Sequence, residues 1–128
     1  MRGLAKSVVT LLVGVAIGAV GVPALKAQTG ATATYIVAEM HVTDPAGFTE
    51  YMRREPATLA QFHGHVLARA LPDVREGAPA DGTVTIYAFA TPEDASHWYY
   101  SLDYSKLLLL RQKSAKSRVY FLPGVVQQ

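Results

Sequence analysis

The stretch that constrains this chain most is Thr34–Asp44, TYIVAEMHVTD, whose residues alternate in character with the period of a β-strand. Ile36, Ala38, Met40 and Val42 fall on one face. Tyr35, Val37, Glu39 and His41 fall on the other. The first set is wholly apolar and suits helices packed against it. The second carries a carboxylate and an imidazole to the opposite side. Asp44-Pro45 then offers an N-cap and a first-turn proline, so the strand runs straight into a helix.

The rest of the chain builds on that pair. Phe48, Met52, Leu59 and Phe62 recur at helical spacing, with Glu50, Arg53 and Arg54 on the outer side. Pro56 is expected to kink or interrupt this helix near Glu55, and Gly64 to close it. His65–Leu71 reads as a second strand on which Leu67 and Arg69 share the face of His65. Pro72–Gly82 reads as a polar loop, and Thr83–Ala90 as a third strand. Thr91 caps a helix Pro92–Ser101 that presents Ala95, Trp98 and Leu102 to the core. A further turn, Asp103–Ser114, leads to a fourth strand, Ser117–Pro123.

The order β-α-β-β-α-β is the ferredoxin-like α+β plan, a four-stranded antiparallel sheet with helices on one face. Its other face is expected to carry Tyr35, Val37, Leu67, Tyr87 and Tyr120. An apolar surface of that kind is large for a monomer, and face-to-face pairing of two copies into a dimeric α/β barrel would cover it. The division expected is a leader at 1–27, a flexible lead-in at 28–33, the barrel domain at 34–124 and a tail at 125–128.

The leader has the layout of a secretory signal peptide. Arg2 and Lys6 precede the uncharged run Ser7–Leu25, and Pro23 and Ala27 mark its end. The rival reading is an uncleaved membrane anchor, since that run just suffices to span a bilayer. Either way the folded domain lies outside the cytoplasm, periplasmic or secreted, and touches a membrane only through an uncleaved leader. The leader holds three of the twelve Lys and Arg and none of the ten Asp and Glu, leaving nine basic against ten acidic side chains. That balance gives no support for nucleic-acid binding. The chain has no cysteine, which excludes disulfides and thiol chemistry.

The runs YIVAEMHVTDPAGFTEY, HGHVLAR, HWYYSLDY with Arg111, and KSRVYFLPG resemble the bacterial family called domain of unknown function 1330. The resemblance spans about Tyr35–Gly124. It implies the dimeric α/β-barrel superfamily, which includes quinol monooxygenases and haem-degrading enzymes, and it supplies a fold rather than a reaction. Glu39, Asp44, Tyr51, Gly64, Arg69, Glu76, Gly77, Trp98, Ser101, Tyr104 and Arg111 fall on the family's characteristic positions. The family's Gly-Gly-Arg stands here as His63-Gly64-His65, and its Ser-Pro as Ser101-Leu102. If the missing Arg holds an anion in relatives, His65 does so only when protonated.

Two groups of residues could carry chemistry. Glu39, His41, His65 and Arg69 would converge inside a barrel if their strand faces coincide, able to bind a small carboxylate or enol or to move a proton. The plainer alternative is a buried hydrogen-bonded network. Tyr51, Trp98, Tyr104 and Arg111 form the second group, lining a helix–sheet cleft or simply belonging to the core, with Arg111 paired to a carboxylate. His63 and His65 could form a three-ligand metal site with His41 or Glu39, but His63 precedes the strand and no fourth ligand is evident, so neither metal nor cofactor is expected. Three readings stay open. They are a homodimeric module binding a small organic ligand, a cofactor-independent monooxygenase or isomerase, and a dimer with no ligand. In the second, His41 or His65 would be the base and Arg69 or Arg111 would hold the anion.

Overall fold

A computed structural model describes residues 32–126. Seven elements follow one another: β1 (Thr34–Val42), α1 (Pro45–Ala60), β2 (His65–Ala70), β3 (Thr83–Phe89), α2 (Pro92–Tyr99), α3 (Leu102–Ser114) and β4 (Ala115–Pro123). The strands form one antiparallel sheet in the order β2-β3-β1-β4, which is the ferredoxin-like arrangement. Among the described residues no helix is long and apolar enough to cross a membrane. The leader 1–27 and the first part of the lead-in lie outside them.

Local chemistry sets the boundaries. The Gly47 N–H donates to Asp44 Oδ1 at 3.3 Å, so Asp44 caps α1 as its type and position require. At the far end the Gly64 N–H returns to the Leu59 carbonyl at 3.0 Å. Gly64 lies so close to Phe89 that a Cβ there would sit 2.3 Å from the ring. Pro56 does not interrupt α1, which continues through it. The proline faces solvent, so its ring meets no core packing.

The second helical region is two helices rather than one. Ser101 adopts extended backbone and its hydroxyl accepts from the Tyr104 N–H at 3.2 Å, which ends α2 and starts α3. That break turns Leu102 outward, 73% exposed, against the expectation that it joins the core. Ala95 and Trp98 are fully buried as expected, and His97 faces solvent.

The helices cover the face of β1 that holds Ile36, Ala38 and Met40, all buried. Trp98 stacks at the centre, 3.9 Å from the Tyr104 ring and 5.4 Å from those of Tyr87 and Phe89. The other face is not covered by any helix among the described residues. Register places Val37 beside Ile86 on β3 and Tyr120 on β4, with Tyr35 beside Ala88 and Leu122. Leu122 is 49% exposed and Tyr120 36%.

Two expectations about faces are overturned. Tyr87 pairs with Ile36, not Val37, and is therefore buried under the helices instead of lying on the open face. Arg69 does not share the face of His65. Val66 pairs with Tyr87 and Ala68 with Ile86, consecutive residues of β3, so Leu67 is an unpaired extra residue, a β-bulge. One skipped residue inverts every side chain beyond it. His65 keeps the open face, while Arg69 goes under the helices.

Candidate ligand-binding site

The sheet separates the expected site residues into two clusters. Under the helices lies a buried polar network centred on Glu55, which is fully buried on the inner stripe of α1 with Phe48, Tyr51, Thr58 and Leu59. Glu55 Oε1 accepts from the Tyr51 hydroxyl at 2.6 Å and from the Tyr87 hydroxyl, and Oε2 accepts from Arg69 Nη2. Arg69 Nε donates to the Thr85 hydroxyl at 3.0 Å. The Tyr51 and Tyr104 hydroxyls are 3.2 Å apart, and Arg111 Nη1 donates to Tyr104 at 2.8 Å. Trp98 Nε1 donates to the Thr58 hydroxyl at 3.0 Å.

Charge inside this network is set by burial. Desolvation pushes the Tyr51 and Tyr87 hydroxyls well above the ordinary tyrosine range, reinforced by neighbouring tyrosines and Glu55. Tyr104 is pushed up to about 12, also chiefly by burial, with Arg111 opposing the rise. Burial alone would lower the Arg69 guanidinium, but hydrogen bonding and the charge of Glu55 outweigh it and raise it. These groups are therefore held in one protonation state near neutral pH.

Tyr51, Trp98, Tyr104 and Arg111 do come together as the sequence suggests, and all four are buried between helices and sheet. Arg111 meets a tyrosine hydroxyl and forms no ion pair with a carboxylate among the described residues. Its Nε is buried without a partner. Glu55, Tyr87, Thr58 and Thr85 escape the sequence reading. Glu55 had a signal, because it falls between Met52 and Leu59 on the same helical spacing.

The open face holds the other cluster. Arg118 Nε and Nη2 both donate to Glu39 Oε2, at 3.0 and 2.7 Å, and the Tyr120 hydroxyl donates to Oε1 at 2.7 Å. The Tyr120 bond, followed by the Arg118 bonds, holds the Glu39 carboxyl below its ordinary range. His41 Nδ1 lies 2.8 Å from Asp81 Oδ1 in the loop before β3. His65 sits on the same face but across the sheet on β2, exposed. His63 precedes that strand at φ 55° and lies 3.7 Å from Asp94. Glu39, His41, His65 and Arg69 thus do not converge, because the bulge sends Arg69 to the far side.

Beside Glu39 a cavity of about 320 Å³ opens, at the small end of the range for small-molecule pockets. Pro79 and Asp81 form one wall, Lys116, Ser117 and Arg118 the other, and Glu39 lies between them. Among the described residues this is a concave site with charged groups of both signs.

Solved structures support the fold. A protein of unknown function from Rhodopseudomonas palustris superposes with a TM-score of 0.60 at 14% identity, covering 77% of this chain and 86% of its own. A cofactor-independent oxygenase from Streptomyces nogalater superposes with a TM-score of 0.53 at 15% identity, covering 77% and 96%. At these identities the likeness is one of fold. No curated protein matches the sequence. The family model described as "Domain of unknown function (DUF1330)" matches residues 33–125, nearly all of the described chain. This ferredoxin-like chain therefore belongs to the family of domain of unknown function 1330.

Proposed function

We propose that this protein is exported by its leader, pairs face to face with a second copy, and binds a small organic molecule at the open side of its sheet. The cavity beside Glu39 carries this reading: it lies on the uncovered face and brings together side chains from β1, β4 and the loop before β3. The apolar centre of the same face, Val37 with Ile86 and Tyr120, supports the pairing. The layout of residues 1–27 supports export.

An oxygenase or isomerase built on His41 or His65 as base and Arg69 or Arg111 as anion holder is less well supported. The sheet stands between those histidines and those arginines. The arginine side is also close-packed around Trp98, so a substrate would have to displace core.

Light scattering on the purified full-length chain tests the pairing. A dimer is expected at micromolar concentration, and Val37→Arg is expected to give a folded monomer, with circular dichroism reporting the fold. A wild-type chain that stays monomeric would end the reading.

A further inference from the structure

The charges around the cavity beside Glu39 are paired off unequally, and what remains describes a ligand. Both oxygens of Glu39 already accept hydrogen bonds, from Arg118 and Tyr120. Asp81 has given only Oδ1, to His41. Lys116 takes part in no ion pair among the described residues. Glu39, Asp81, Lys116 and Arg118 together sum to zero, so the cavity favours neither a net anion nor a net cation. Its free charges are nevertheless separated. Asp81 contributes to the lining from the loop before β3 and Lys116 from β4.

The loop wall is held in place. Gly82, next to Asp81, has φ +90°, and a Cβ there would lie 2.3 Å from the Met40 carbonyl oxygen. Only glycine allows the loop to lie against β1 this closely. The His41 contact adds a second tie between loop and strand. Asp81 comes from the loop beside β1 and Lys116 from β4 on the other side of β1, and the two make no ion pair among the described residues.

We infer that this cavity takes a small zwitterion, its ammonium on Asp81 and its carboxylate on Lys116 with the Arg118 guanidinium alongside. The inference rests on the ligand-binding reading above and names the class of molecule bound. A zwitterion matches both the zero sum and the separation, whereas a single ion leaves one wall uncompensated.

Calorimetry on the full-length chain tests it with glycine, β-alanine and 4-aminobutyrate, using butyrate and butylamine as single-charge controls. At least one amino acid is expected to bind saturably and about tenfold or more tighter than either control. Lys116→Met is expected to reduce that amino acid to the level of butylamine, and Asp81→Asn to the level of butyrate. Lys113→Met, on the outer face of α3, is expected to leave binding unchanged. Butyrate binding as tightly as 4-aminobutyrate would overturn the zwitterion assignment in favour of an anion site. Failure of all three amino acids to bind at millimolar concentration would overturn it outright. Light scattering on the same samples separates the two failures: a dimer without amino-acid binding sinks only this inference, and a monomer sinks the reading beneath it.

Discussion

The two faces of the sheet carry the same three residue types in opposite surroundings. Under the helices, Glu55 holds Arg69, Tyr51 and Tyr87, with Glu55, Tyr51 and Tyr87 buried. On the open side, Glu39 holds Arg118 and Tyr120, and the Arg118 side chain is 68% exposed. The first cluster ties the helix α1 to the sheet strands β2 and β3 beneath it. The second joins neighbouring strands that already share a ladder. The comparison teaches that a Glu–Arg–Tyr set has no fixed worth. Where water is excluded it is part of the core, and breaking it strands charge. Where water is present it is a surface feature, left available for ligands and partners.

Removing the carboxylate under the helices gives the largest expected effect. Glu55→Ala leaves the Arg69 guanidinium and two tyrosine hydroxyls without their acceptor, and is expected to cost about 3–5 kcal/mol in denaturant unfolding. A loss no larger than that of an ordinary surface substitution would show that the network is not dry, and the contrast between the faces would fail.

Alkaline titration sharpens the same contrast. Tyr51, Tyr87 and Tyr104 have folded values raised above the ordinary tyrosine value, so their contribution is complete below that value and is lost as pH rises through the raised ones. Stability is expected to hold up to about pH 10 and to fall beyond it. Tyrosinate absorbance should show these three ionising late, or only on unfolding. Early ionisation of all seven tyrosines in the folded chain would contradict it.

Deleting Leu67 is a milder test of how Arg69 reached the inner face. Because Val66 and Ala68 already pair with consecutive residues of β3, deletion turns the bulge into a regular ladder without moving Arg69. The expected cost is small, within roughly 1 kcal/mol, and the Arg69–Glu55 pair is expected to persist. A collapse comparable to that of Glu55→Ala would mean that the bulge itself shapes the inner face.

Glu39→Ala is expected to move the thermal midpoint least. A shift as large as that of Glu55→Ala would place Glu39 at the dry centre of an interface rather than at the rim of a cavity. The lowered Glu39 carboxyl gives an acid-side check. Whatever the pair contributes is present above the ordinary carboxylate range and is lost as pH falls through the lowered value. A carboxyl carbon titration by NMR reads it directly.

Much of this molecule is written locally. Alternation in Thr34–Val42 declares its two faces, and Asp44-Pro45 and Thr91-Pro92 mark helix starts that the structure keeps. The spacing Phe48, Met52, Glu55, Leu59 also carries Glu55 inward, although a charged residue on an apolar stripe is easily read as flanking a proline kink. Ser101 held the signal for a new helix, being a capping residue three positions before the Tyr104 amide it meets. Missing that cap is what sent Leu102 inward.

The sequence by itself determined the strand and helix order, the inner face of β1 and the helix caps, because each depends on residues within a turn or two of one another. Tertiary structure alone decided the faces of Tyr87 and Arg69. A strand's side-chain direction is set by the partner it pairs with, and a single unpaired residue such as Leu67 inverts it without leaving a compositional mark. The same holds for the cavity beside Glu39, whose walls come from segments brought together only when the sheet closes its order β3-β1-β4.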